Sequence, residues 1–95
     1  MITHIVFFKL KDRSLASIES TRDLILTLNG KVPTIEHLEA GVDIVRGERN
    51  YDLALYSRFT SMENLDAYRV HPYHKEVVGE LKARSESIVA VDYKN

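Results

Sequence analysis

The sequence contains no cysteine. That excludes a disulfide framework, a thiolate metal site and a cysteine nucleophile, and it fits a reducing compartment. An excess of one charge is also missing: 13 basic and 14 acidic side chains leave a formal net charge of -1. There is no basic field to gather nucleic acid, and no acidic tail. No apolar run approaches the roughly 20 residues a membrane span requires. Met1 to Leu10 is apolar but shows neither a basic leader nor a small-residue cleavage site, so it does not read as a secretory signal. Linkers, repeats, low-complexity segments and a glycine-rich phosphate loop are absent too. What these absences leave is one small domain over residues 1–95, expected in the cytoplasm. Nucleic acid and membranes are not expected as partners, and no metal or organic cofactor is expected to be required.

What is present is a regular alternation of elements. Apolar residues make up 44% of the chain, enough for a thin but real core. Ile2 to Leu10 alternates with period two: His4, Val6, Phe8 and Leu10 share one face, Ile5 and Phe7 the other. Both faces are apolar, which predicts a strand covered on both sides. Ser14 is placed to cap a helix whose apolar stripe runs through Leu15, Ile18, Ile25, Leu28 and Val32. Asn29-Gly30 and Pro33 then supply its stop signal. His37 to Val45 reads as a second strand, broken or bulged at Gly41. Arg46 to Asn50 forms a polar turn, and Tyr51 to Phe59 a third strand paired to the second as a hairpin. Ser61 caps a helix carrying Met62, Leu65, Ala67 and Tyr68, with Glu63 in its first turn where the macrodipole favours an acid. His71-Pro72 interrupts that helix, because the residue before proline avoids the α region while proline itself starts a helix well. A further helix is predicted from Pro72 to about Arg84 with Val77, Val78 and Leu81 as its stripe, and a last strand from Ile88 to Tyr93.

The order is β-α-β-β-α-β with a split second helix, an α+β arrangement of the ferredoxin-like type. One helix layer covers only one face of a four-stranded sheet. The second face, built from Ile5, Phe7, Ala54, Tyr56, Val89 and Val91, is apolar as well and calls for a partner. Two copies packed sheet to sheet about a two-fold axis satisfy it, so a homodimer through the open sheet face is expected.

The segment with the most chemistry is Tyr68-Arg69-Val70-His71-Pro72-Tyr73-His74. Pro72 fixes the start of a helix, so His74 projects from a rigid first turn, and Tyr68 lies about one turn before His71. His4 is set among Val6, Phe8 and Leu10 on the face assigned to the helices, an unusual place for a histidine. Imidazole titrates near neutrality and serves as acid or base, and a phenol can donate to a developing oxyanion. Each residue also has a structural reading. His71 before proline is an N-cap more often than a catalyst, His4 can be a satisfied core histidine, and His74 alone would sit on the surface. A zinc site is weakly indicated, since the helical i, i+4 histidine pair and a convergent carboxylate are both missing. Arg13, Arg46 and Arg49 fall in loops with no specific role assigned.

The His71-Pro72-Tyr73-His74 stretch resembles the His-Pro-x-His signature of the stress-responsive A/B barrel (Dabb) family. The likeness extends to His4-Ile5-Val6 leading to Lys9-Leu10-Lys11, to Tyr51-Asp52-Leu53-Ala54-Leu55 before Phe59, and to the closing Val89-Ala90-Val91-Asp92-Tyr93. It covers nearly the whole chain, most weakly between Ser14 and Pro33. The resemblance implies a dimeric α+β barrel with a pocket between each sheet and its own helices. Family members of known activity, such as the plant polyketide cyclases, use a pocket histidine and tyrosine for an intramolecular aldol condensation without a cofactor. By position, His74 then corresponds to the general base, Tyr68 to the orienting donor and His4 to a further polar group of the pocket. Val6, Phe8, Leu55, Leu65, Ile88 and Ala90 are expected as walls, with His71 as a further contact. Arg69 departs from the cyclases, which have an apolar residue there; pointing inward, it would favour an anionic ligand.

Three functional readings follow. The first is a cofactor-independent lyase or cyclase acting on a small carbonyl compound by His/Tyr acid–base chemistry. The second is a non-catalytic, stress-responsive ligand binder or structural dimer. The third, on fold analogy alone, is a cofactor-free monooxygenase. Convergence of His4, Tyr68 and His74 on one enclosed cavity would favour the first.

Overall fold

The structure is a computed structural model that describes all residues, 1–95. Its elements run β1 (Ile2–Leu10), α1 (Leu15–Leu26), β2 (His37–Val42), β3 (Leu53–Phe59), α2 (Met62–Val70), α3 (Pro72–Arg84) and β4 (Ser85–Lys94). The strands form one antiparallel sheet in the order β2-β3-β1-β4. This is the ferredoxin-like arrangement, with the second helix divided in two.

The expected caps are in place. Ser14 Oγ accepts from Ser17 N at 3.2 Å, and Ser61 Oγ accepts from Asn64 N at 3.2 Å. The predicted α1 stripe extends further than the helix itself. The Thr27 hydroxyl turns back onto the Leu24 carbonyl, and Leu28 N and Asn29 N bond three residues back, to Ile25 O and Leu26 O, each at 3.1 Å. These tighter turns end the α-helix at Leu26, while Leu28 and Val32 still reach the core. Gly30 then adopts φ +82°, a left-handed conformation that suits glycine.

The second strand differs from expectation. Pairing runs without a break through Gly41↔Ala54 and stops at Val42↔Leu53, so there is no bulge and Asp43 to Val45 lie outside the sheet. An edge strand tolerates the glycine, and the chain is turned by Asp43. The Asp43 carboxylate accepts from Arg46 N at 2.7 Å and from Asn50 Nδ2 at 3.0 Å, and Arg46 takes φ 61°. Ile44 is left 91% exposed. β4 in turn is longer than the expected Ile88 to Tyr93, because its pairing with β1 extends from Ser85↔Leu10 to Lys94↔Ile2.

The core lies between the sheet and the helices. Ile2, Val6, Phe8, Leu10, Leu53, Leu55 and Phe59 meet Ile18, Ile25, Leu65, Tyr68, Val77 and Leu81. Leu15 and Met62, expected on the helix stripes, point instead to solvent. On the opposite sheet face two cross-strand rows are in register, Val91–Ile5–Tyr56 and Val89–Phe7–Ala54. Val91 is 60% exposed and Phe7 and Val89 44% each, so one chain leaves an apolar face open.

The end of the sheet where β1 finishes is clamped by a charge pair. Asp52 is fully buried; its Oδ2 accepts from Leu10 N at 2.8 Å and its Oδ1 from Arg13 Nε at 2.9 Å. Arg13 also reaches the carbonyls of Gly47 and Asn50. It therefore has a specific structural role that its loop position did not suggest. Asp52→Ala should strand both the guanidinium and the Leu10 amide and cost about 3 kcal/mol. Urea denaturation measures this, and a loss below about 1 kcal/mol would show the clamp to be unimportant.

Candidate functional site

A cavity of about 390 Å³ separates the sheet from α3. Its floor is the helix-facing row of the strands: Val6 and Phe8 from β1, Leu55 from β3, Ile88 and Ala90 from β4. Val77, Val78 and Leu81 close it from α3, with Leu28 from the turn after α1. The polar groups are His4, Tyr68, Arg69, His74 and Lys82.

The break at His71 brings the central pair together. His71 is extended, with φ -61° and ψ 131°, so α3 starts in a new direction from α2. The Tyr68 and His74 rings consequently lie 4.1 Å apart between centroids, tilted by 44°. Tyr68 also meets His4 edge to face at 5.9 Å. His4, Tyr68, Arg69 and His74, with Val6, Phe8, Leu55, Ile88 and Ala90, thus share one cavity. Leu65 and His71 do not line it. Leu65 is buried in the core proper, and His71 accepts the Tyr73 amide at Nδ1 at 3.1 Å as the N-cap of α3.

Five lining residues, Leu28, Val77, Val78, Leu81 and Lys82, and one supporting residue were not singled out beforehand as site groups. The sequence places all of the five but Lys82 on the apolar helix stripes. Asp92 faces His4 directly across the β1–β4 pairing. Its Oδ1 pairs with His4 Nδ1, and its Oδ2 lies 3.4 Å from the Arg69 guanidinium. The period-two pattern of β4 carries the signal, since Asp92 shares a face with Ala90 and Ile88.

The hydrogen bonds set the protonation states. His74 Nδ1 lies 3.2 Å from the Arg69 carbonyl. A carbonyl only accepts, so this nitrogen carries the hydrogen and Nε2 keeps its lone pair. Burial lowers the His74 pKa below its ordinary value; nearby His4, His71 and Arg69 charges push the same way, and the Arg69 carbonyl partly opposes them. Burial is the largest of these causes. Burial also pushes the Tyr68 phenol well above its ordinary value, so it remains a donor. A neutral imidazole with a free lone pair thus lies against a protonated phenol, above an apolar floor. Such a pair can move a proton to and from a bound molecule.

The lowered His74 pKa has a stability consequence. Above about pH 6.5 the side chain is neutral whether folded or not, and contributes no pH dependence. As pH falls through that value the unfolded chain takes up a proton the fold resists, and stability drops until the folded value is passed. His74→Gln should therefore flatten the fall in stability between about pH 6.5 and pH 5. Urea melts at the two pH values test this; equal slopes for both proteins would contradict it.

Comparison with known proteins identifies the family and the fold. The stress responsive A/B barrel domain family matches residues 2–95. A stress-response A/B barrel domain-containing protein of Arabidopsis thaliana is 33% identical over 98% of this chain. The match takes in 46% of that protein, so the chain spans about half its length. A dimeric protein of unknown function with a ferredoxin-like fold, from Bacteroides fragilis, superposes with a TM-score of 0.84 at 32% identity, covering 99% of this chain and 95% of that one. The hydroxynitrile lyase of Passiflora edulis superposes with a TM-score of 0.82 at 24% identity, covering 97% and 90% of the two chains, which shows a shared fold. By its sequence over nearly its full length, this chain belongs to the stress responsive A/B barrel domain family.

Proposed function

We propose that this protein is a homodimeric, cofactor-independent lyase or cyclase that acts on a small carbonyl compound by proton transfer. The observation that carries the reading is the Tyr68–His74 contact inside the cavity, with His74 Nδ1 engaged by the Arg69 carbonyl. In this reaction His74 Nε2 takes a proton from the carbon next to a carbonyl. The released electron pair moves onto the carbonyl oxygen, where the Tyr68 hydroxyl stabilises it. The enolate then attacks a second carbonyl of the same molecule, whose oxygen takes the proton back from His74, or it expels a leaving group, which takes that proton as it departs. His4, held by Asp92, completes the polar wall. The Passiflora edulis protein supports the reading to the extent that this fold can carry a lyase.

A direct test needs no knowledge of the natural substrate. Small aryl and alkyl ketones incubated in deuterated water should exchange their α-hydrogens, followed by NMR. His74→Ala should slow the protein-dependent exchange by about 10²–10⁴-fold while leaving thermal stability at pH 7.5 nearly unchanged. Exchange that survives the replacement would remove His74 as the base. Ketone binding with no exchange in either protein would favour the non-catalytic ligand binder.

The homodimer is proposed through the open face, since each Å² of apolar surface covered there contributes about 25 cal/mol. The dimeric Bacteroides fragilis protein of the same fold supports it. Sedimentation at micromolar concentration should show a dimer, and Val89→Asp should yield monomer or unfolded chain. A wild-type protein that remains monomeric would overturn the assignment.

A further inference from the structure

Beside the cavity lies a second hollow of about 260 Å³, walled by Arg69, His74, Lys75, Val78, Gly79 and Lys82. Four of these, Arg69, His74, Val78 and Lys82, wall the cavity as well. The two spaces therefore meet along one rim, and their chemistry differs sharply. The inner space is floored by aliphatic and aromatic side chains. The outer one has a single apolar residue, Val78, and three cations with no carboxylate on its wall. A chain with a formal net charge of -1 does not produce such a cluster through general surface bias.

The cations are available to a ligand. The Arg69 guanidinium lies 3.4 Å from Asp92 and 3.6 Å from Asp66, both beyond good hydrogen-bond length. Its fork of donors is thus steered by the two carboxylates without being used up by them. Lys75 and Lys82 are exposed and join no ion pair; the one ion pair within α3 is between Arg84 and Glu80.

Resting on the reading of the inner cavity as a small-molecule pocket, we propose that the ligand is amphipathic, with an apolar body inside and an anionic head, carboxylate or phosphate, on Arg69, Lys75 and Lys82. The inner volume of about 390 Å³ matches a body of about a dozen non-hydrogen atoms, taking roughly 30 Å³ for each water-sized unit. A guanidinium fork flanked by two ammonium groups suits either head, because both present paired oxygens. With the head at the rim, the first atoms of the body lie beside His74 and Tyr68, where proton transfer is proposed. The rim then selects the substrate and sets its direction of entry.

Binding of octanoate, octyl phosphate, octan-1-ol and octylammonium, measured by NMR shift titration at low and at high salt, tests the inference. At low salt at least one of the two anions should bind about fivefold or more tighter than the alcohol, with the cation weakest; this advantage should shrink at high salt. The tighter of the two anions identifies the head. Arg69→Gln combined with Lys82→Gln should cut anion affinity about tenfold and leave the alcohol unchanged, the alcohol showing that the pocket is still folded. Equal binding of anions and alcohol, or anion affinity untouched by the double replacement, would overturn the anionic subsite while leaving the pocket intact. Binding of none of the four would overturn both the subsite and the pocket.

Discussion

The register of β1 is the constraint on which the rest of the structure depends. This strand runs through the interior of the sheet, paired to β3 on one side and β4 on the other. Side chains on a strand alternate with period two, so a slip of one residue would exchange its faces entirely. His4, Val6 and Phe8 would leave the cavity, and Ile5 and Phe7 would enter it. Asp52 opposes such a slip. Its carboxylate holds the Leu10 amide where the strand ends, and its own amide bonds the Phe8 carbonyl at 2.8 Å. Arg13 neutralises the buried charge and ties it to the loop between β2 and β3. Strand pairing, cavity floor and open face are therefore fixed by the same few contacts.

A second constraint is local. Pro72 cannot continue α2, and the extended residue before it redirects the chain. An unbroken helix would place positions 68 and 74 on different faces, since six residues correspond to well over one and a half turns. The break removes that separation and puts the two rings in contact. It also leaves the Arg69 carbonyl near the end of α2 free to engage His74. The geometry of the central pair is thus a consequence of how one helix ends and the next begins.

Much of this was legible in the sequence because it is governed by near neighbours. Ser14 and Ser61 are followed by the amides they accept, Pro72 marks its own helix start, and alternation in β1 assigns His4, Val6 and Phe8 to the helix side. What was not legible depends on distant partners or on competition between weak preferences. Arg13 and Asp52 are 39 residues apart, and nothing local to Arg13 announces its buried partner. Asp92 acquires its place only from the β1–β4 register. Gly41 suggested a break, yet its cost is chiefly entropic and the ladder with β3 outweighs it. Leu65 and His71 lie one helical turn to either side of Tyr68, and proximity along a helix did not distinguish the cavity wall from the core below it or from the cap beside it.

Ala90 carries a final consequence. It lies in the floor directly across from Val6, which is itself paired with Leu55, so the row bears one methyl group beside two branched side chains. This low step in the floor gives the molecule a depth gauge. Each additional carbon at position 90 would rise into the cavity with no change in the sheet hydrogen bonds or in the polar groups above. Chains of this architecture can therefore diverge in the length of molecule they admit through a single strand position, while the histidines, the tyrosine and their supports stay where they are.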